Sequence, residues 1–480
     1  MLNMKKNNAI TPQEQDFSQW YTDVCTKAGL MDYSRVKGFI IYRPYGYAIW
    51  ENIRNYLDEQ FKLTGHENVY MPLLIPRSLL QKEAEHVEGF APECAVVTQG
   101  GGKDLEEPLY VRPTSETLFC DHFKDILSSY RDLPIKYNQW CSVVRWEKTT
   151  RPFLRGSEFL WQEGHTLHRT EQEAREEALR MLRVYDNLGR DILAIPFLTG
   201  QKTDKEKFAG ALETYTVEAI MKDGQALQCG TTHYFGQGFA EHYDIKYLDE
   251  DNTLKVPYQT SFGVSTRLIG AIIMEHGDDN GLVLPPYVAP LQVVIIPIRA
   301  ANDPEVARRA HCLEDELKKL NIRCKIDFSD KTPGWKYAQY ELMGVPLRID
   351  IGPKDCQENK VMYVKRYNGE KGFYKFDENL AKVIAAEMET ITRGMYAKAL
   401  NFVNSHVHEV HTYDELADVI LNGKGYAKMA WCGDQACEDE IKAKLNASSR
   451  CMPFDQTLID DTCPICHKKA KKVVLFARSY

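Results

Sequence analysis

Between Tyr47 and Phe61 apolar residues recur every fourth position, at Ile49, Ile53, Leu57 and Phe61, with Glu51, Arg54, Asp58 and Glu59 between them. That period predicts an amphipathic helix. Gly65 ends it, and Asn68-Val-Tyr-Met-Pro-Leu-Leu-Ile75 follows as an extended run whose Pro72 suits an edge or an interface. Residues 138–147 and 157–168 read as two strands of an antiparallel hairpin, joined by the basic loop Lys148-Thr-Thr-Arg-Pro-Phe-Leu-Arg-Gly156. Thr170 and Glu173 have capping-box spacing, and Ala174, Ala178, Met181, Leu182 and Tyr185 carry a helical stripe on to about Leu193.

Past Leu284-Pro-Pro286 the pattern changes to strand, helix, strand: residues 293–296, a helix opened by Asp303-Pro304, and residues 322–328. A helix over 334–342, an extended run over 345–351, and strands 361–365 and 373–376 paired across Asn368-Gly369 complete an α/β unit of about 110 residues. A helical connector runs to about Val403, and a cysteine-rich tail closes the chain.

At 480 residues the chain exceeds one ordinary core and suggests two to four domains. Hydrophobic residues at 44% with charged residues at 27% exclude wholesale disorder. Lys plus Arg number 60 against 68 for Asp plus Glu, so a net charge of −8 exerts no global pull on phosphate backbones or anionic lipid. Any nucleic-acid contact must be local. The basic pair Lys5-Lys6 is followed by no apolar core of a signal peptide. The longest apolar run, residues 291–298, is interrupted by Gln292 and Pro297 and reads as a buried strand, so neither export nor a membrane span is predicted. Thirteen cysteines without an export signal favour reduced thiols or metal ligands over disulfides.

Three segments carry chemistry. In Arg145-Trp146-Glu147 a strand would place Arg145 and Glu147 on one face, and Trp161, Glu163 and His165 would share a face of the returning strand as an aromatic wall beside polar groups. The same spacing also suits a cross-strand charge pair on a solvated sheet. In Phe262-Gly-Val-Ser-Thr-Arg267 a strand gives way to a helix whose first turn holds Arg267 beside free N–H groups, a setting for phosphate oxygens as well as for an ordinary solvated arginine. In Arg112-Pro-Thr-Ser-Glu116 a hydroxyl and a carboxylate two apart suit a cationic amine or a plain helix cap. Cys432-x4-Cys437 and Cys463-x2-Cys466 can close a four-thiolate structural zinc site, against the alternative of four buried reduced thiols, with Cys451 and His467 as substitute ligands. His406, His408 and His411 alternate too irregularly for one face. Lys468, Lys469, Lys471 and Lys472 suit RNA or solvent equally.

Together these segments resemble the three signature motifs of the class II aminoacyl-tRNA synthetases. Arg112-Pro-Thr-Ser-Glu116, Trp161-Gln-Glu-Gly-His165, Gln228-Cys-Gly-Thr-Thr-His233 and the final Arg478-Ser-Tyr480 are similar to the archaeal and eukaryotic type of prolyl-tRNA synthetase, from about residue 10 to the end. The resemblance implies an α/β and α+β multidomain chain: an antiparallel-sheet class II catalytic domain over 1–288, an α/β anticodon-binding domain over 289–395, and a small zinc-containing α+β domain over 396–480. It implies a cytoplasmic homodimer that makes prolyl-adenylate and pyrophosphate from L-proline, ATP and magnesium, then passes proline to the 3′ end of tRNA(Pro).

By the same resemblance Thr114 and Glu116 would hold the prolyl amine, Arg145 the proline carboxylate and the α-phosphate, and His233 the proline pocket. Glu147, Arg155, Gly156, Gln228, Thr231 and Ser265 would hold ATP, and Arg267 its far phosphates. Glu341, Arg348 and Lys354 become the anticodon candidates. Only about sixty residues separate His168 from Gln228, so the large editing insertion of the bacterial type is expected to be missing. P-loop, dinucleotide and serine-hydrolase motifs are absent from the sequence. A threonyl or glycyl ligase is the nearest rival; no Cys-His-His set is placed for an active-site zinc of the threonyl kind, while Thr114, Glu116 and His233 fit proline. A non-catalytic synthetase-like sensor is disfavoured by the presence of Arg145, Arg155 and Arg267.

Overall fold

The computed structural model describes residues 10–80 and 94–480, which leaves the Lys5-Lys6 pair outside the described residues. The helix predicted over 47–61 spans Pro44–Leu63, with Pro44 in the first turn, where a missing N–H costs nothing. Its stripe of Ile49, Ile53, Leu57 and Phe61 enters the largest core. The extended run after it is paired only at its ends. Glu67–Asn68 joins the main sheet beside Ile135–Val144, and Leu74–Pro76 joins a separate three-stranded sheet. Pro72 falls between the two, where no ladder hydrogen bond is asked of it.

The main sheet has eleven strands. In spatial order they are Val407–Val410, Tyr426–Trp431, Lys472–Ala477, Ser448–Pro453, Leu198–Gln201, Glu213–Ile220, Ala226–Gly236, Tyr258–Ser265, Glu158–His168, Ile135–Val144 and Glu67–Asn68. The cysteine-rich tail therefore extends the sheet of the first unit. Met452 pairs with Gln201 and Pro453 with Gly200. Gly200 permits this approach, since a Cβ there would lie 2.2 Å from the Met452 carbonyl oxygen.

One face of the central strands is covered by the helix Glu171–Leu188, whose Thr170–Glu173 capping box is formed. Ala174, Ala178, Met181, Leu182 and Tyr185 pack with Phe262 and Val264. Phe262 lies against Gly164, where an added Cβ would come within 2.0 Å of the ring. Because strand side chains alternate, this packing forces the neighbouring residues of the same strands to the opposite face.

The middle unit is a five-stranded sheet in the order Cys324–Ile326, Val293–Pro297, Leu347–Ile351, Lys360–Lys365, Lys371–Lys375, parallel across the first three and antiparallel beyond. Helix Pro304–Lys319 covers one face and Pro333–Leu342 the other. Arg366 ties this unit to the first, donating to both carboxylate oxygens of Asp278 at 2.7 and 2.6 Å. A boundary at 395 falls inside the helix Leu380–Asn404, which serves two cores. Ile384, Met388, Ile391 and Met395 pack into the middle unit, and Val403 packs with Tyr426 and Leu475 of the tail. Among the described residues no helix is long and apolar enough to cross a membrane.

Three core histidines are held neutral. Burial pushes His66, His168 and His276 down to about 3, and His276 Nε2 donates to the Leu193 carbonyl at 2.8 Å. An unfolded histidine protonates near about 6.5, so below that pH the unfolded chain binds more protons and stability falls as pH falls. Urea unfolding should show a midpoint that drops from about pH 7 to about pH 5, with a shallower slope for His276→Gln. An identical slope for the variant would contradict this account.

Candidate active site

The register of three strands builds the floor of a cavity of about 280 Å³. Ser261 lies between His165 and His233, Gly263 between Glu163 and Thr231, and Ser265 beside Trp161. These side chains face away from the helix-covered side and line the cavity together with Gln228, Arg267, Thr114, Glu116, Arg145, Glu147, Arg155 and Gly156. Every proposed amino-acid, nucleotide and wall residue of the first unit thus borders one space. Arg145 and Glu147 reach it differently from the strand expected for them, because the strand ends at Val144. Arg145 N–H donates to the Ser157 carbonyl at 2.8 Å, and Arg151 and Arg155 close a tight backbone pair, so this stretch is a loop. Trp146 turns outward against Phe39.

At one end the loop before helix Glu116–Ile126 brings three polar residues into the cavity wall. Thr114 Oγ1 donates to Glu116, and Ser115 Oγ donates to Glu163. Ser115 stands at the helix N-cap but makes no capping bond, because Glu163 takes its hydroxyl. Gln139 Nε2 also donates to Glu163, at 2.8 Å, and His165 Nε2 lies 3.3 Å from it. Burial pushes the Glu163 carboxyl upward, but hydrogen bonds from His165, Ser115 and Gln139 outweigh that and hold it below the usual range. His165 stacks on Phe119 at 4.1 Å. His233, held by Thr214 at 2.9 Å, is pushed down to about 3 by burial and presents a neutral ring.

The other end is cationic. Arg145 spends its Nε on the Pro113 carbonyl at 3.0 Å and lies over the rings of Trp161 and Phe159. Arg267 donates to the carbonyls of Leu154 at 3.1 Å and Gln228 at 3.2 Å. Burial lowers the pKa of both, and Arg145 and Arg155 add repulsion at Arg267. The guanidiniums remain charged and anchored on neutral carbonyls, which leaves their charge to an incoming anion. Arg155 lies 3.9 Å from Glu147. The chain terminus braces this loop: Arg151 sits between the rings of Tyr21 at 4.9 Å and Tyr480 at 5.1 Å, and Ala226 exchanges backbone hydrogen bonds with Arg478 and Tyr480.

Sequence reading missed Lys202, Glu206, Phe208, Phe159, Thr214 and Ser261 in the same wall. Phe159 and Ser261 lie within or beside segments already singled out, whereas residues 202–214 carry no motif. Only the pairing of Leu198–Gln201 and Glu213–Ile220 brings residues 202–214 to the cavity.

In the middle unit Glu341 and Arg348 border one small cavity of about 90 Å³ with Tyr337 and Tyr340. The Arg348 guanidinium stacks on Tyr337 at 3.7 Å and pairs with Asp350 at 3.1 Å. Lys354 stands apart from that cavity, exposed and 3.8 Å from Glu358. In the tail the sulfur atoms of Cys432, Cys437, Cys463 and Cys466 lie within 4.8 Å of one another. Separations of 3.7, 4.0 and 3.5 Å match the roughly 3.8 Å edge of a tetrahedron of thiolates at about 2.3 Å from a metal. Cys451 is buried in a different cluster. His406, His408 and His411 bond separately to Phe402, Lys424 and Asp460. The four lysines from 468 to 472 are exposed.

Residues 97–276 match the tRNA synthetase class II core domain (G, H, P, S and T). Residues 292–386 match the anticodon binding domain, and residues 413–480 the prolyl-tRNA synthetase C-terminal family. The proline–tRNA ligase of Lachnoclostridium phytofermentans is 55% identical over 481 residues, covering all of both chains. That of Agathobacter rectalis is 56% identical over 98% of each. Among solved structures, prolyl-tRNA synthetase from Cryptosporidium parvum with L-proline and AMP superposes with a TM-score of 0.92 at 39% identity, covering 98% of this chain and 96% of that one. The same protein with halofuginone and AMPPNP gives 0.94 at 40%, covering 98% and 97%.

The cysteine geometry predicts about one thiophilic divalent metal per chain. Elemental analysis of desalted protein should find it, and should find it lost in the Cys463→Ser, Cys466→Ser double variant. Metal-free wild-type protein would reject the site.

Proposed function

On the premise that the chain belongs to the proline–tRNA ligase family of class II synthetases, we propose that its cavity makes prolyl-adenylate from proline and ATP and then esterifies the 3′ end of tRNA(Pro). The observation that carries this reading is the polarity of the one cavity, with carboxylate and hydroxyl at one end and arginines anchored on carbonyls at the other. Thr114 and Glu116 bind the secondary ammonium of proline, and the neutral His233 lines the ring pocket. Arg145, at the cationic end, takes both the proline carboxylate and the α-phosphate. Glu147, Arg155, Gly156, Gln228, Thr231 and Ser265 hold the nucleotide, and Arg267 meets the far phosphates.

The carboxylate is already an anion near neutral pH, so it attacks the α-phosphorus without a general base, and pyrophosphate leaves. Holding two anions in line is the main task, and cationic charge is what lowers its cost. Magnesium accompanying ATP would neutralise further phosphate charge. Trp161, Glu163 and His165 form the wall behind the amino acid.

We assign the division at 1–288, 289–395 and 396–480 to catalysis, anticodon binding and a structural zinc module. Glu341 and Arg348 border one small cavity, with the Arg348 guanidinium stacked on Tyr337, which supports base recognition there, and Lys354 is a separate anticodon contact. The tetrahedral sulfur spacing supports zinc in the tail. Exposed apolar residues support a homodimer: Tyr70 is 68% exposed and Leu63 74%, and Leu73, Leu74 and Val96 are exposed too. The place of work is the cytoplasm.

Purified protein should exchange pyrophosphate into ATP in the presence of proline in clear preference to the other amino acids, and Arg145→Ala should abolish exchange while leaving tRNA binding mostly intact. Preference for another amino acid would sink the substrate assignment, and retained exchange would sink the role of Arg145. Sedimentation should give twice the chain mass, shifting towards one chain mass in Tyr70→Asp; a monomeric wild type would reject the dimer.

A further inference from the structure

The tail unit reaches the cavity wall through a buried ion triad. Lys202, the residue after strand Leu198–Gln201, lines the cavity with its Nζ 2.7 Å from Glu218 Oε1. Glu218 Oε2 accepts from Arg450 Nη2 at 2.9 Å and Nε at 3.1 Å, and Thr216 Oγ1 donates to Oε1 at 2.9 Å. The three charged side chains are 2, 0 and 8% exposed in the order Lys202, Glu218, Arg450. Both Glu218 and Arg450 stand at register shifts in their strands, between Val217 and Glu218 and between Ser449 and Cys451. A bulge turns a side chain off the regular pleat, and these two, 232 residues apart, aim at one point.

The next residue is gripped from the same side. Thr203 Oγ1 donates to Glu438 Oε1 at 2.8 Å, and Ser449 Oγ donates to the same carboxylate. From there the chain runs to Glu206 and Phe208 in the cavity wall, with the Phe208 ring 4.7 Å from that of His233.

One carboxylate facing two cations leaves a net positive charge buried in the wall of a cavity that receives phosphate. Adhesion between the units would not require it, because apolar packing holds buried contacts as well as an ion pair does. We propose that Arg450 is a positioning residue for adenylate formation: by holding Glu218 it fixes the Lys202 ammonium in the cavity wall, which makes the tail unit a working part of the activation site. This rests on the reading of the cavity as the place of adenylate formation.

The test is proline-dependent pyrophosphate exchange by the full chain carrying Arg450→Met, Arg450→Lys or Asp439→Ala. The last removes the exposed Lys205–Asp439 pair at 2.7 Å in the same interface and leaves the triad intact. Arg450→Met should lower kcat about tenfold or more with KM for proline changed less than about twofold, Arg450→Lys should recover part of the loss, and Asp439→Ala should match wild type. Wild-type kcat in Arg450→Met, even with a lowered melting temperature, would overturn the proposal, as would an equal loss in Asp439→Ala. Should Arg450→Met fail to fold, Arg450→Lys decides, and wild-type kcat there overturns it. Absence of proline-dependent exchange in the wild type would instead overturn the functional reading beneath it.

Discussion

A carboxylate taken out of water must be surrounded by donors or it will not remain ionised, and Glu163 organises its end of the molecule through that need. It draws Ser115 away from capping a helix, Gln139 from the neighbouring strand and His165 from its own. Gln139 in turn accepts from Met71 N–H at 2.5 Å, and buried Arg112 donates to the Met71 carbonyl at 2.7 Å and to the Ser142 carbonyl at 2.9 Å. The segment carrying exposed Tyr70 and Leu73 is therefore tied by hydrogen bonds to Gln139 and Arg112, and so to the strand and loop that hold Thr114 and Glu116. Pocket and outer apolar surface share one set of buried polar contacts.

The opposite end of the cavity relies on leaving charge unsatisfied. Arg145 and Arg267 are oriented by carbonyl oxygens, which fix direction without cancelling charge, and each guanidinium keeps its positive charge beside the other. Neighbours far away in sequence surround this end: Tyr480 and Tyr21 flank Arg151 at the loop tip, and the tail's sheet adds its strands to the edge beyond Leu198–Gln201. The tail is therefore continuous with the first unit through hydrogen-bonded strands, while the middle unit meets it through the Arg366–Asp278 pair and two backbone bonds, Leu282 N–H to the Leu342 carbonyl and Leu284 N–H to the Gly344 carbonyl.

Much of this was legible in advance wherever the signal was local. The stripe at Ile49, Ile53, Leu57 and Phe61, the Thr170–Glu173 cap and the Asp303-Pro304 helix start depend on neighbours within a few residues, and the structure has them. Arg145 and Glu147 continue the strand pattern in sequence because a period of two does not reveal where a ladder stops; in the structure the partner strand turns away beyond Glu158, where Ser157 N–H donates to the Gly38 carbonyl, a residue more than a hundred positions away. The helical stripe through Tyr185 ends in a five-residue π turn at Gly189–Leu193 that no apolar period announces. Lys202 and Phe208 were invisible for a related reason, since a lysine in a polar segment reads as surface until its partners are known.

By itself the sequence determined which residue types were present and which faces they shared: the alternation that puts Trp161, Glu163 and His165 together, the helical stripes, and two short cysteine pairs. Those follow from backbone periods and need no knowledge of the rest of the chain. Only the tertiary structure decided which shared faces enclose a cavity, that four thiols from two distant pairs meet within 4.8 Å of one another, and that Arg450 lies against Glu218. Such contacts depend on strand order and register, and these are settled by burying apolar faces against partners hundreds of residues away.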